Sequence, residues 1–164
     1  MAEALGYLEE EIAEVEIEQY LTFKIDNEEY GVKISYVNEI IGLQKITEVP
    51  DVQKYIKGII NLRGMIVPVM DLRLKFKKEE IEYNDRTCVI IVSSHDIYLG
   101  LIVDSVSEVI NLKKEDVVPP PSLSVGDNNK YIMGIGKVGK DIKLLLDTEK
   151  LLTDDDADEL SNLK

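Results

Sequence analysis

The chain has 164 residues, 45% hydrophobic and 31% charged, with a formal net charge of −13, a size that suits one ordinary domain. That balance excludes a nucleic-acid binder, which needs a basic stripe, and an anionic membrane surface as partner. No run of about 18 apolar residues and no basic-then-apolar leader occurs, so the expectation is a soluble cytoplasmic protein without direct membrane insertion.

Residues 1–18 carry seven Glu and no Lys or Arg, which predicts an acidic, disordered N-terminal tail. Leu8, Ile12 and Val15 also fit one helix face, but glutamates this dense favour coil. Gln19 to Ile25 alternates apolar and polar residues, Asp26 to Glu29 turns, and Tyr30 to Ile34 completes a hairpin. Ser35 stands where a cap would start a short helical turn before a strand ending near Leu43. After Pro50, Asp51 to Tyr55 reads as a capped turn of helix. Gly58 to Leu62 and Met65 to Met70 form a second hairpin around Arg63-Gly64, and Leu74 to Asn84 is a charged bridge.

The same order then recurs. Thr87 to Val92, a polar turn at Ser93 to Asp96 holding the single histidine, His95, and Ile97 to Val103 make a hairpin. Asp104 takes the capping place, a strand ends near Leu112, and Ile132 to Val138 and Asp141 to Leu146 close the copy. Glu149 to Leu152 starts a short closing helix, and 153–164, with five acids and one Lys, is predicted to be a second disordered tail.

The recurrence is exact enough to align. At an offset of 69, Tyr30 to Pro50 matches Leu99 to Pro119 without a gap, with eight of 21 pairs identical, Gly31 on Gly100 among them. A seven-residue insertion shifts the offset to 76, where Tyr55 meets Tyr131 and Asp71 meets Asp147. One unit of about 70 residues has been used twice. About five strands per copy with short connections predict an all-β protein of two small five-stranded barrels. The first barrel is expected at about 19–75 and the second at 86–147, with SH3-like as the barrel type.

One Asp per copy invites comparison with two-lobed aspartic proteases. Asp71 is followed by Leu72-Arg73 and Asp147 by Thr148-Glu149, not by the small residue and Gly which that site needs, so both are read as helix caps. No nucleophile elbow, phosphate loop or metal-ligand spacing occurs, which predicts a non-enzyme with no cofactor. Cys88, the only cysteine, sits beside Val89 to Val92 and reads as a buried, inert thiol. Arg63 belongs to copy one alone. It is an exposed turn residue beside Gly64, a structural ion pair with Glu39, or a partner contact.

The run GIINLRGMIVPVMDLR, the EEYGVKI hairpin before it and the YIMGIGKVGKDIKLLLDTEKLL ending closely resemble the CheW family of chemotaxis coupling proteins over about Gln19 to Leu152. The resemblance implies two SH3-like barrels joined at an apolar seam, with short helical turns and a short C-terminal helix. It implies a free monomer, recruited to membrane-associated arrays, that links the cytoplasmic tips of methyl-accepting chemoreceptors to the regulatory domain of the histidine kinase CheA. Carried over residue by residue, it places Val37, Glu39, Ile40, Gly58, Arg63, Cys88, Gly100, Val106 and Val109 at a receptor-binding groove. Ile46, Val49 and Ile56 would meet the kinase. The apolar groove members also suit core positions, and both readings stay open on sequence. The same domain ends CheA and occurs in CheV-type adaptors, whose additional domains this length leaves no room for.

Overall fold

The computed structural model describes residues 16–120 and 130–161. In chain order the elements are β1 (Ile17–Ile25), β2 (Glu28–Lys33), a 3-10 turn at Ile34–Tyr36, β3 (Val37–Gly42), β4 (Ile56–Leu62), β5 (Met65–Asp71) and helix α1 (Leu72–Lys75). There follow β6 (Cys88–Ser94), β7 (Ile97–Val103), β8 (Ser105–Lys113), a 3-10 turn at Lys114–Asp116, β9 (Val117–Val118), β10 (Ile132–Val138), β11 (Asp141–Leu146), α2 (Thr148–Leu151) and α3 (Asp154–Ser161).

Strand order shows how the repeat is used. One sheet runs β8-β1-β2-β11-β10-β9 and the other β3-β6-β7-β5-β4. Each sheet takes its first hairpin from one copy and its other strands from the other. The parallel pairs β2–β11 and β7–β5 are the joints, with Gly31 opposite Leu145 and Gly100 opposite Val69. These are equivalent positions, so both copies adopt the same local structure. The sheets bend back on the chain that begins them. In barrel I β9 pairs with β10, and in barrel II Thr47 exchanges two 2.9 Å backbone bonds with Ile59.

The expectation of one barrel per repeat, at 19–75 and 86–147, is thus corrected: barrel I holds β1 and β2 with β8 to β11, and barrel II holds β3 to β5 with β6 and β7. A single copy supplies a hairpin and a three-stranded remainder, both with open edges. Joining each hairpin to the remainder of the other copy pairs those edges.

Alternation along the central strands then builds three apolar layers. On β1, Leu21, Phe23 and Ile25 face the seam between the barrels, and Tyr20 faces the interior of barrel I. On β6, Ile90 and Val92 enter the seam while Val89 and Ile91 fill barrel II. Because β6 is buried on both faces, its sequence is a continuous apolar run instead of an alternation. Each such buried side chain contributes about 1.5–3 kcal/mol. The seam is the largest of the three layers, and a ladder of stacked rings, Phe23, Tyr30, Phe76 and Tyr131, continues it with centroids 5.0–5.9 Å apart.

Both Asp caps are present. Asp71 accepts from Arg73 N (2.9 Å), Asp147 accepts from Glu149 N (3.0 Å), and their own N–H groups donate to Tyr55 and Tyr131. Other local expectations are corrected. Ser35 caps nothing and lies inside a 3-10 turn preceded by Lys33, and Asp104 turns its carboxylate to Arg73 and the Asp26 N–H. Asp51 to Tyr55 is turn, with Asp51 at φ 61°, and not helix.

The acidic C-terminal stretch is no free tail. Ala157 and Leu160 of α3 are buried in the seam layer, and Tyr55 donates a 2.8 Å bond to Asp156. Thr153 and Asp156 exchange side-chain-to-backbone bonds at the helix start, a reciprocal cap that the acidic composition concealed. At the other end β1 begins at Ile17, paired with Lys113. The remainder of the predicted N-terminal tail, 1–15, lies outside the described residues, as do 121–129 of the insertion and 162–164.

Candidate functional site

Two edge strands carry the seam-facing surface out to solvent. In β3, Val37 stands opposite Val92 and Ile40 opposite Ile90; in β8, Val106 stands opposite Phe23 and Val109 opposite Leu21. All four partners belong to the seam layer. Directly opposed residues of an antiparallel pair share a face, so all four side chains lie on the seam side of their sheets. Val37 and Val106 are half-buried at its margin, whereas Ile40 is 44% and Val109 51% exposed.

A spacing of three should place such residues on opposite faces of a regular strand. The register slips between Val37 and Glu39 in β3, and opposite Leu21 and Phe23 in β8. One extra residue in each edge strand restores the face, as β-bulges do beside binding sites. The bulge in β8 is satisfied by the buried Thr22, whose hydroxyl donates to Glu108 O (2.8 Å) and accepts from Glu108 N (3.1 Å). Strict alternation hides these bulges in the sequence; their one signal is that the same three-residue spacing occurs in both copies.

Glu39 and Arg63 do meet. The Arg63 guanidinium grips the Glu39 carboxylate through both Nη atoms, one at 3.3 Å. The Arg63 side chain is 68% exposed, and the bond to Glu39, with its charge, raises the guanidinium pKa further. The pair is therefore a surface clamp between β3 and the β4–β5 turn, where Arg63 (φ 52°) and Gly64 (φ 88°) both adopt left-handed backbone.

The other residues are brought to different places. Cys88 begins β6 opposite Gly42, half-buried at the seam margin and not fully buried as expected, with its Sγ 3.3 Å from Arg86 O. Gly100 is enclosed: a Cβ there would stand 2.7 Å from Val69 and 2.8 Å from Val89. Gly58, at φ 146°, would place a Cβ 2.1 Å from Thr47 O. Both glycines shape the walls and offer no side chain to a partner. Ile46 and Val49 are half-buried on the segment that closes barrel II, Ile46 against its core. Ile56 is buried in the seam layer, which removes it from any kinase-facing surface.

One cluster had no sequence signal. Arg73, a buried residue of α1, donates to Asp104 at 2.9 Å from Nε and from Nη2, to Glu79 O at 3.0 Å, and to Asp26. These bonds, Asp104 first, raise its pKa against the opposing effect of burial. At the equivalent place in the other half a carboxylate replaces the guanidinium, and Glu149 accepts from the His95 backbone N–H at 2.9 Å. Among the described residues no group of three or more His, Cys, Asp or Glu could hold a metal, and no helix is long and apolar enough to cross a membrane.

The CheW-like domain family matches residues 19–156. The chain belongs to the CheW family. It is 37% identical over 146 residues to the chemotaxis protein CheW of Klebsiella aerogenes, covering 89% of this chain and 88% of that one. To CheW of Treponema pallidum it is 34% identical over 149 residues, covering 88% of each. The scaffolding protein TtCheW of Thermoanaerobacter tengcongensis superposes with a TM-score of 0.79 at 31% identity, over 86% of this chain and 96% of that one. The two barrels are accordingly the SH3-like pair of CheW, a family of chemotaxis scaffolding proteins and not of enzymes.

Proposed function

We propose that this CheW-family scaffold couples methyl-accepting chemoreceptors to the histidine kinase CheA, receiving the receptor's helical tip along β3 and β8. The observation that carries this reading is the seam-facing apolar surface left open at Ile40 and Val109. An amphipathic helix has an apolar stripe to bury, and such a margin is the surface that accepts it. Val37, Val106 and Cys88 form the floor, and the Arg63–Glu39 clamp holds the end of the β4–β5 turn beside it. The regulatory domain of CheA meets the closing segment of barrel II, at Ile46 and Val49. A free monomer in the cytoplasm would be recruited by these contacts to receptor arrays.

The test uses purified receptor cytoplasmic fragment and CheA. Val109→Asp and Ile40→Asp place an uncompensated charge on the apolar margin and should weaken receptor binding at least about tenfold, with CheA affinity unchanged. Val49→Asp should do the reverse, and Arg63→Ala should lower receptor affinity without moving the unfolding midpoint, as expected for an exposed ion pair. Receptor affinity unaltered by Val109→Asp, or receptor and kinase competing for one site, would sink the coupling reading.

A further inference from the structure

The repeat builds the same pocket twice and lines it with different chemistry. In barrel II a pocket of about 430 Å³ is lined by Tyr36, Met65, Ile97 and Tyr98 together with Asp96 and Glu149. In barrel I a pocket of about 500 Å³ is lined mainly by polar and charged side chains, Asn27, Glu28, Glu29 and Asp141 among them, with Ile142 and Leu144 as its apolar members. The two sets correspond. Asn27, Glu28 and Glu29 stand at the positions of Asp96, Ile97 and Tyr98, and Asp141 at that of Met65. In barrel I, Glu29 is engaged by the buried Lys143. Barrel II has the buried Val67 at the place of Lys143, and its Tyr98 and Met65 stand exposed where barrel I carries Glu29 and Asp141.

Three of those apolar side chains are open to solvent, Tyr36 at 40%, Met65 at 38% and Tyr98 at 36%. The pocket adjoins the candidate site through the chain itself, since Tyr36 precedes Val37 and Met65 follows the Arg63-Gly64 turn. Of its carboxylates, Glu149 accepts the His95 N–H at 2.9 Å, and Asp96 stands on the β6–β7 turn, where its φ is 62°. Two phenol rings, a flexible thioether and two carboxylates fit a long cationic side chain. Arginine suits them better than lysine, because its planar head stacks on tyrosine faces while its N–H groups pair with carboxylates.

We propose that this pocket seats an arginine of the receptor's helical tip and so sets the register of the helix along β3. The inference rests on the seam margin being the receptor surface. It is tested by grafting residues of barrel I into barrel II at equivalent positions: Tyr36→Ser, after Ser105, and separately Asp96→Asn, after Asn27.

Isothermal titration with the receptor cytoplasmic fragment should show each variant weakened about five- to tenfold, with CheA affinity and the urea midpoint unchanged. In an arginine-to-alanine series on the fragment, one substitution should produce a similar loss that the grafted variants do not deepen. Grafted variants that bind the fragment like the parent while Val109→Asp does not would overturn the pocket and leave the seam reading standing. If Val109→Asp also binds normally, the seam reading itself fails. A change confined to self-association in ultracentrifugation would assign the pocket to a second copy of the chain and overturn the proposal.

Discussion

At Gly31 and Gly100 the two copies face one demand with different tolerance. A Cβ on Gly31 would lie 3.1 Å from the Leu145 Cδ2, the far end of a flexible side chain. On Gly100 it would lie 2.7 and 2.8 Å from Cγ1 atoms of Val69 and Val89, which are β-branched and cannot swing aside. Gly100→Ala should therefore cost about 1–3 kcal/mol by overpacking and Gly31→Ala under about 1 kcal/mol, measured by urea denaturation. Equal costs would mean that the two sites tolerate a methyl group alike and that the closer valines at Gly100 make no difference. The receptor-site role that the family resemblance implies for Gly100 then becomes indirect: the residue holds β5 and β7 close, and partners feel its loss through the wall it supports. Arg63 and Arg73 make the opposite contrast. Both bind carboxylates, but Arg63 does so in water and Arg73 with its side chain buried. Only the second is placed to hold the fold.

Among the elements, α3 departs furthest from what composition predicts. Its acidic residues look like those of the N-terminal segment, yet Ala157 and Leu160 recur on one face and close over Leu151 and Leu152 in the seam layer. Ending the chain after Thr153 should remove their burial and the Tyr55–Asp156 bond, at about 3 kcal/mol, seen as a lower urea midpoint. A truncated chain as stable as the full one would show that α3 does not dock in solution. The edge strands β3 and β8 are the other departure. Their bulges turn a three-residue spacing into a shared face, so a reading by alternation splits Val37 from Ile40 and Val106 from Val109.

For the whole molecule, the exchange of strands makes a direct prediction about division. Cutting between residues 78 and 79 separates the two copies but leaves each barrel without either its first hairpin or its remaining strands. The two fragments should be largely unstructured alone by circular dichroism and should recover β structure when mixed. Two independently folded halves would contradict the exchange.

Alkali should act on the whole molecule too. Tyr30, Tyr55 and Tyr83 donate to Glu28, Asp156 and Asp71 at 2.9, 2.8 and 2.7 Å, and burial followed by those bonds raises each phenol above the usual 10.0. The folded chain then keeps protons that the unfolded chain releases. Stability is at its full value below pH 10 and falls as the pH climbs beyond it. Tyr83→Phe should flatten that fall in urea midpoints taken from pH 9 to 11, and an unchanged slope would count against the hydrogen-bonded phenol.

The sequence by itself determined the duplication, the strands, the two Asp caps and the resemblance to CheW, because each is written in local alternation, in offsets that repeat or in a contiguous motif; of its three readings of Arg63, the structure selected an exposed ion pair with Glu39. Only the tertiary structure decided that the copies exchange hairpins, since the strand pairings that join the copies link residues from about 30 to more than 100 positions apart and either partner satisfies the same alternation. It also decided that Ile56 and Gly100 are interior, that Arg73 has two carboxylates to bind and that an acidic tail docks. Burial on an edge strand depends on what covers it, and that cover comes from distant parts of the chain.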